Sequence, residues 1–291
     1  MNKKADTRKR QARPADIKRN LVWIASYPKS GNTWTRIFLA NYIVNGEQPV
    51  PINQVHRFGM SDAIAKTYQM VDKGRYNPTD RMRHLSIREK VLQGISNNGA
   101  DLNFVKTHNE NGKAFGTQLI LPRFTRSAIY IVRNPMDVVI SYARHYGLTP
   151  SKAVEAISRA DNTVSADDKN VEQYLGTWSK HVRSWTQARG FPVHVMRYED
   201  MKTDPQSAFA GLLKFLTIPV DDTRLDKAIR FSSFDELRAQ EDSQGFIERS
   251  GNMDKFFHSG TSGQWEGVLT DDEVERLHTK HGETMRKFGY L

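Results

Sequence analysis

The chain contains no cysteine. That absence excludes disulfides, thiolate nucleophiles, cysteine-ligated zinc and iron–sulfur clusters, and it is compatible with reducing surroundings. Long apolar runs are missing as well. The longest, residues 37–44, is interrupted by Asn41 and falls far short of the roughly 20 residues that a membrane-spanning helix requires. Acidic residues are in deficit, with 33 Asp plus Glu against 43 Lys plus Arg in 291 residues and a formal charge of +10. Much of that imbalance is local: residues 1–20 hold eight Lys or Arg against Asp6 and Asp16. So polar a stretch cannot bury enough surface to fold alone, and a basic disordered arm is expected there, without the apolar segment of a secretory leader. Attraction to a polyanion or a membrane surface is its alternative role.

Hydrophobic residues make up 38% of the chain and charged ones 26%, which suits one folded α/β domain over residues 21–291. Residues 21–25 form an apolar run of strand length, and residues 102–106, 128–132 and 193–198 read as further buried strands. After Gly31, Trp34, Ile37, Phe38 and Tyr42 recur at helical spacing and predict a helix over residues 32–44. Helices are likewise expected at residues 136–146, 172–189, 206–216, 222–231 and 271–288. Strands alternating with long helices imply a parallel sheet covered on both faces, with ligands beyond the carboxyl ends of its strands. Residues 45–99 and 240–267 read as long binding loops.

Ser26-Tyr27-Pro28-Lys29-Ser30-Gly31-Asn32-Thr33-Trp34 lies at the first strand-to-helix junction. Free backbone N–H groups and the positive end of the helix dipole attract an anion at such a place. Gly31 permits close backbone approach, Lys29 adds a point charge, and the hydroxyls of Ser30 and Thr33 add donors. In a Walker A loop the lysine follows the final glycine, whereas Lys29 precedes Gly31 by two, so a nucleotide triphosphatase or P-loop kinase is disfavoured. A second anion site is expected at Arg133-Asn134-Pro135, where an arginine fork ends a strand, Pro135 opens a helix and Ser141 follows two turns on. Asp137 reads as a residue of that helix's first turn. His108 follows the strand at residues 102–106, and an imidazole suits proton transfer near neutrality. His278 and His281, one turn apart, read as a solvated helix face rather than a metal pair. Asp221-Asp222 and Asp271-Asp272 read as helix-capping and dipole-compensating groups.

Four segments together resemble the sulfotransferase family that uses 3′-phosphoadenosine 5′-phosphosulfate, the cytosolic type in particular. They are residues 27–34, Lys106-Thr107-His108, Arg133-Asn134-Pro135 with Asp137 and Ser141, and residues 256–265 with Gly260 and Gly263. The resemblance implies a P-loop-like parallel sheet flanked by helices, a cytoplasmic enzyme, and sulfuryl transfer to a hydroxyl or amine of a small acceptor without a metal. It gives Lys29, Ser30, Gly31, Asn32 and Thr33 to the 5′-phosphosulfate and Trp34 to the adenine. Arg133 and Ser141 go to the 3′-phosphate, and Tyr198, Ser232 and Phe234 are further adenine contacts. His258, Ser259 and Gly260 belong to the late donor-binding loop. His108 is implied as general base, Lys29 at the leaving phosphate, Lys106 at the sulfuryl oxygens, and Ser141 as a restraint on Lys29.

The late loop departs from the family's pattern: His258-Ser259 stands where an Arg-Lys pair is usual, with His258 partly charged at neutrality and Arg249 or Lys255 as candidate substitutes. Glu266-Gly267-Val268 also departs from the family's dimerisation motif and leaves a homodimer open, with no interface identified. The acceptor is expected among residues 45–99, 142–148 and 245–255, with Phe58, Tyr68, Tyr76 and Tyr146 available for apolar contact. A non-catalytic polyanion or membrane-surface binder is the reading from another class, and no specific nucleic acid is implied.

Overall fold

The computed structural model describes residues 17–73, 77–258 and 260–291. Most of the expected basic arm, together with Tyr76 and Ser259, lies outside the described residues. Residues 18–20 belong to the folded body. The Ser96 hydroxyl donates to the Lys18 carbonyl at 2.7 Å, Arg19 reaches the Thr125 and Gly190 carbonyls, and the Asn20 amide reaches those of Ser96 and Ala100.

The strands are β1 (Leu21–Ser26), β2 (Met60–Ser61), β3 (Asn103–Thr107), β4 (Lys113–Ala114), β5 (Thr117–Gln118), β6 (Thr125–Val132), β7 (Thr163–Val164), β8 (Gln173–Tyr174) and β9 (Val193–Arg197). Among the described residues, β2-β3-β1-β6-β9 form one parallel sheet, and β4-β5 and β7-β8 pair separately as antiparallel ribbons. The helices are α1 (Asn32–Val44), α2 (Ala65–Asp72), α3 (Arg81–Ser96), α4 (Pro135–Tyr146), α5 (Pro150–Ser158), α6 (Trp178–Thr186), α7 (Tyr198–Thr203), α8 (Pro205–Phe215), α9 (Asp222–Phe231), α10 (Phe234–Gln244) and α11 (Asp271–Lys287).

Alternation along β1 divides the core between two layers. Leu21, Trp23 and Ala25 face the side covered by α3, α4, α5, α6 and α11. Val22 and Ile24 face α1, α8 and α9, where the Phe38 and Phe209 rings stack 3.8 Å apart. Because both faces are covered, β1 reads as an unbroken apolar run instead of an alternating one.

Three expectations change. Residues 172–189 are not one helix: Gln173–Tyr174 is β8, and α6 starts at Trp178 behind its Thr177 cap. The expected loop at residues 45–99 holds α2 and α3, and most of α10 lies before residue 240 but continues into the second expected loop. His281 is no solvated residue; it is buried, with ring nitrogens near the hydroxyls of Ser179 (3.1 Å) and Ser158 (3.3 Å).

α3 escapes a periodicity reading because Arg88 occupies one of its buried positions. Asp62 makes that tolerable. Its Oδ2 accepts from Arg88 Nη2 at 2.5 Å, from the Thr107 hydroxyl at 3.1 Å and from Asn109 Nδ2 at 3.0 Å. The pair thereby grips the residues on either side of His108. Removing one partner of a buried ion pair strands the other charge. Asp62→Ala is expected to lower stability by about 3–5 kcal/mol, measured by urea unfolding, with much of the loss recovered in Asp62→Ala/Arg88→Met.

Candidate active site

Four parallel strands deliver their carboxyl ends to one edge of the sheet. β1 leads into the loop carrying Lys29, β3 into His108, β6 into Arg133 and β9 into Tyr198. A cavity of about 660 Å³ opens there, and all four residues line it.

In the first loop Lys29 has φ +69° and Gly31 φ +106°. The second value requires glycine, and a Cβ at Gly31 would also approach Tyr198 Cδ2 to 2.9 Å. Lys29 has no such licence. Its left-handed backbone is strain held by the surroundings, as occurs at functional sites, and Arg133 Nη1 supports it by donating to the Lys29 carbonyl at 3.0 Å. α1 has no side-chain cap, so its first-turn N–H groups stay available. α4, by contrast, is capped by Asn134.

Several buried polar atoms at this edge have no hydrogen-bond partner: Lys29 Nζ, Ser30 Oγ, Trp34 Nε1 and Arg133 Nε. Lys29 Nζ rests over the Phe256 ring, 3.8 Å from its centroid. Burial lowers its pKa to about 7, with Lys106 and Arg133 adding to the fall against Glu248. Burial also lowers Lys106. It pushes His145 down to about 3, helped by Lys29 and Lys106. The edge is a field of positive potential in which protons are held weakly.

One carboxylate offsets it. Glu248, from the segment after α10, accepts from Arg36 Nη2 at 2.8 and 2.7 Å and from the Thr33 hydroxyl at 2.9 Å, and it lies 3.6 Å from Lys106 Nζ. Burial alone would raise its pKa, yet Arg36 and Lys106 hold it far below the usual carboxylate range. Arg36 stands one turn beyond Thr33 on α1, a lone cation in an apolar helix and therefore visible in the sequence. Nothing local marks Glu248. Asn32 lines the cavity, and its side chain donates to the Ile24 carbonyl and accepts from Arg36 Nε.

His108 Nδ1 lies 2.8 Å from the Ser26 carbonyl. A carbonyl only accepts, so Nδ1 carries the proton and Nε2 is bare. Burial, with Lys106 next, holds His108 well below the usual imidazole value, hence neutral. His181 Nε2–H donates to the His108 carbonyl at 3.1 Å, and the Tyr130 hydroxyl donates to His181 Nδ1 at 2.9 Å. The backbone of His108 is thus held by side chains that the sequence pattern does not connect with it.

The second expected anion site adjoins the first. Arg133 also lies 4.2 Å over the Tyr198 ring and donates to the Thr261 carbonyl. Ser141, Trp34, Ser232, Phe234 and Gly260 line the same cavity. The Ser232 hydroxyl is already donated to the Ala228 carbonyl at 2.8 Å. No bond joins Ser141 to Lys29, whose nitrogen is without a hydrogen-bond partner, so the expected restraint is not made here.

Two buried carboxylates hold the late loop. Glu241 accepts from the Phe256 and Phe257 amides, and Asp137 from those of Gly263 and Gln264. Asp137 is therefore a clamp rather than a helix-end residue alone. Burial, then Arg144 and Arg238, push His258 below the ordinary histidine value. Lys255 is ion-paired with Asp242, whereas Arg249, whose Nη1 donates to the Met253 and Asp254 carbonyls, lines the cavity and keeps its charge. Arg144, bonded to Gln264 Oε1 at 2.9 Å, also lines the cavity, and Arg238 donates to the His258 carbonyl. Of the aromatics expected around an acceptor, Tyr146 lines the cavity, whereas Tyr68 is buried against Arg88.

Comparison with known proteins agrees with this geometry. The family model described as the sulfotransferase domain matches residues 19–289. Mouse sulfotransferase 1 family member D1 is 26% identical over 94% of this chain and 85% of its own length. Rabbit amine sulfotransferase is 24% identical over 94% and 83%. Among solved structures, mouse sulfotransferase SULT7A1 complexed with PAP superposes with a TM-score of 0.59 at 21% identity, covering 93% of this chain and 85% of that one. A retinol dehydratase complexed with retinol and PAP gives 0.61 at 17% identity, covering 92% and 82%.

With Lys29 depressed to about 7, an anion beside Nζ restores its proton, so anion affinity should weaken as pH rises from 6 to 8. Calorimetry of inorganic pyrophosphate at pH 8, in two buffers of different ionisation heat, is expected to show about half a proton or more taken up relative to Lys29→Met. Equal proton uptake by both proteins would contradict the depressed pKa.

Proposed function

Because the chain belongs to the sulfotransferase family, we propose that it moves a sulfuryl group from 3′-phosphoadenosine 5′-phosphosulfate to a hydroxyl or amine of a small acceptor. The set of buried, unpartnered donors around the 660 Å³ cavity carries this reading. Unpaired buried donors are costly, and phosphoryl and sulfuryl oxygens are acceptors suited to them. The PAP named with two structural neighbours is the product such a donor would leave.

Lys29, Ser30 and the free amides of α1 would hold the 5′ end, with Arg133, Ser141 and Arg144 for the 3′-phosphate and Trp34, Tyr198 and Phe234 for the adenine. The donor supplies an activated sulfur for in-line displacement. His108 Nε2 takes the proton of the attacking group, its ring fixed by the Ser26 carbonyl. Lys29 neutralises charge at the leaving phosphate, and Lys106 faces the transferring oxygens. The single proton of the Thr33 hydroxyl goes to Glu248 in this structure. Donor engagement at Thr33 therefore exchanges one anion for another.

Thermal denaturation is expected to rise with 3′,5′-diphosphoadenosine and to stay unchanged with ATP plus Mg²⁺; selective stabilisation by ATP would indicate a kinase. His108→Ala should cut single-turnover rates at saturating donor by about 10²–10⁴, and a near-normal rate would remove His108 as base. His181 is expected to act by positioning. His181→Phe should lower kcat with little change in donor affinity, and His181→Gln, which keeps an N–H donor, should restore part of it.

A further inference from the structure

The acceptor side of the cavity is shaped by the β7–β8 ribbon. Tyr174 of β8 donates its amide to Asn109 Oδ1 at 2.8 Å, and its carbonyl accepts from the Glu110 amide at 2.8 Å. β8 is thus bonded to the two residues that follow His108, and Gln173 enters beside that turn. Gln173 lines the cavity and is only 7% exposed, and its Oε1 has no hydrogen-bond partner. A buried amide oxygen left unsatisfied is costly. In β8, Gln173 pairs with Val164 through its backbone. Ser61, Asn170, Ile64, Val164 and Tyr146 line the same cavity.

We infer that Gln173 reads the acceptor, and that the acceptor carries a second hydroxyl close to the one that is sulfated: a diol or polyol rather than a phenol or alcohol with a single polar group. A hydroxyl suits Gln173 in either orientation of its amide, donating to Oε1 or accepting from Nε2–H, whereas an ammonium only donates. A site that hydrogen-bonds a substrate hydroxyl discriminates against the analogue lacking it, because the protein group is then left unpaired. This inference rests on the sulfuryl-transfer reading and extends it to the acceptor.

The test uses the full chain and two matched pairs, 4-nitrocatechol against 4-nitrophenol and 1-phenyl-1,2-ethanediol against 2-phenylethanol. The wild type is expected to favour the diol of each pair by about tenfold or more in kcat/KM. Gln173→Met, similar in length and without the amide, should reduce that preference to within about threefold while leaving the affinity for 3′,5′-diphosphoadenosine unchanged. Equal use of both members by the wild type, a preference retained in Gln173→Met, or no transfer to any of the four while the nucleotide still binds would each overturn the inference. Failure of the nucleotide itself to bind would overturn the transfer reading, and the acceptor inference with it.

Discussion

Positive charge gathered out of water is the constraint on which this molecule turns. Lys29, Arg36, Lys106 and Arg133 converge at one sheet edge, and Glu248 is the carboxylate placed among them. The consequences agree in sign: Lys29 and Lys106 lose proton affinity, and His108 and His145 are kept neutral. An anion of several charges removes that penalty on arrival. A neutral histidine inside such a field is also a base whose proton-accepting nitrogen is not already occupied.

The scaffold makes the concentration of charge bearable by distributing its supports. Arg133 braces the strained Lys29 backbone, faces Tyr198 and reaches the late loop through Thr261. Glu241 and Asp137 direct their hydrogen bonds to backbone amides of the same loop, and the charge of Glu241 offsets only part of the depression at Lys29. Asp62 and Arg88 fix both flanks of His108. These carboxylates sit around the site without neutralising it, which preserves the potential that the donor-binding reading requires.

The expected strands at residues 21–25, 102–106, 128–132 and 193–198 all fall on the sheet, and α1 and α9 begin and end where periodicity places them. Burial on both faces makes such strands continuous apolar runs, the strongest local signal available. α3 and α10 are hidden for the opposite reason. Their buried positions include Arg88 and Glu241, whose polarity is matched by partners elsewhere in the chain. β8 and α6 read as one helix because Gln173 and Tyr174 lie just ahead of a true helical pattern, and only pairing with Thr163 and Val164 separates them.

Among the residues gathered at the cavity, Lys29, Gly31, Arg133 and His108 follow from local sequence. Each sits at a strand's carboxyl end, and the chemistry of that position is dictated by the few residues around it. His145 and Glu248 fall in stretches expected at the cavity, but no residue pattern singles them out, and Gln173 and His181 come from segments that the sequence does not connect with the site. Sequence thus determined which strand ends carry charge and an imidazole. The tertiary structure decided how strongly each proton is held, since desolvation and the distance to a countercharge exist only once separate segments have been packed together.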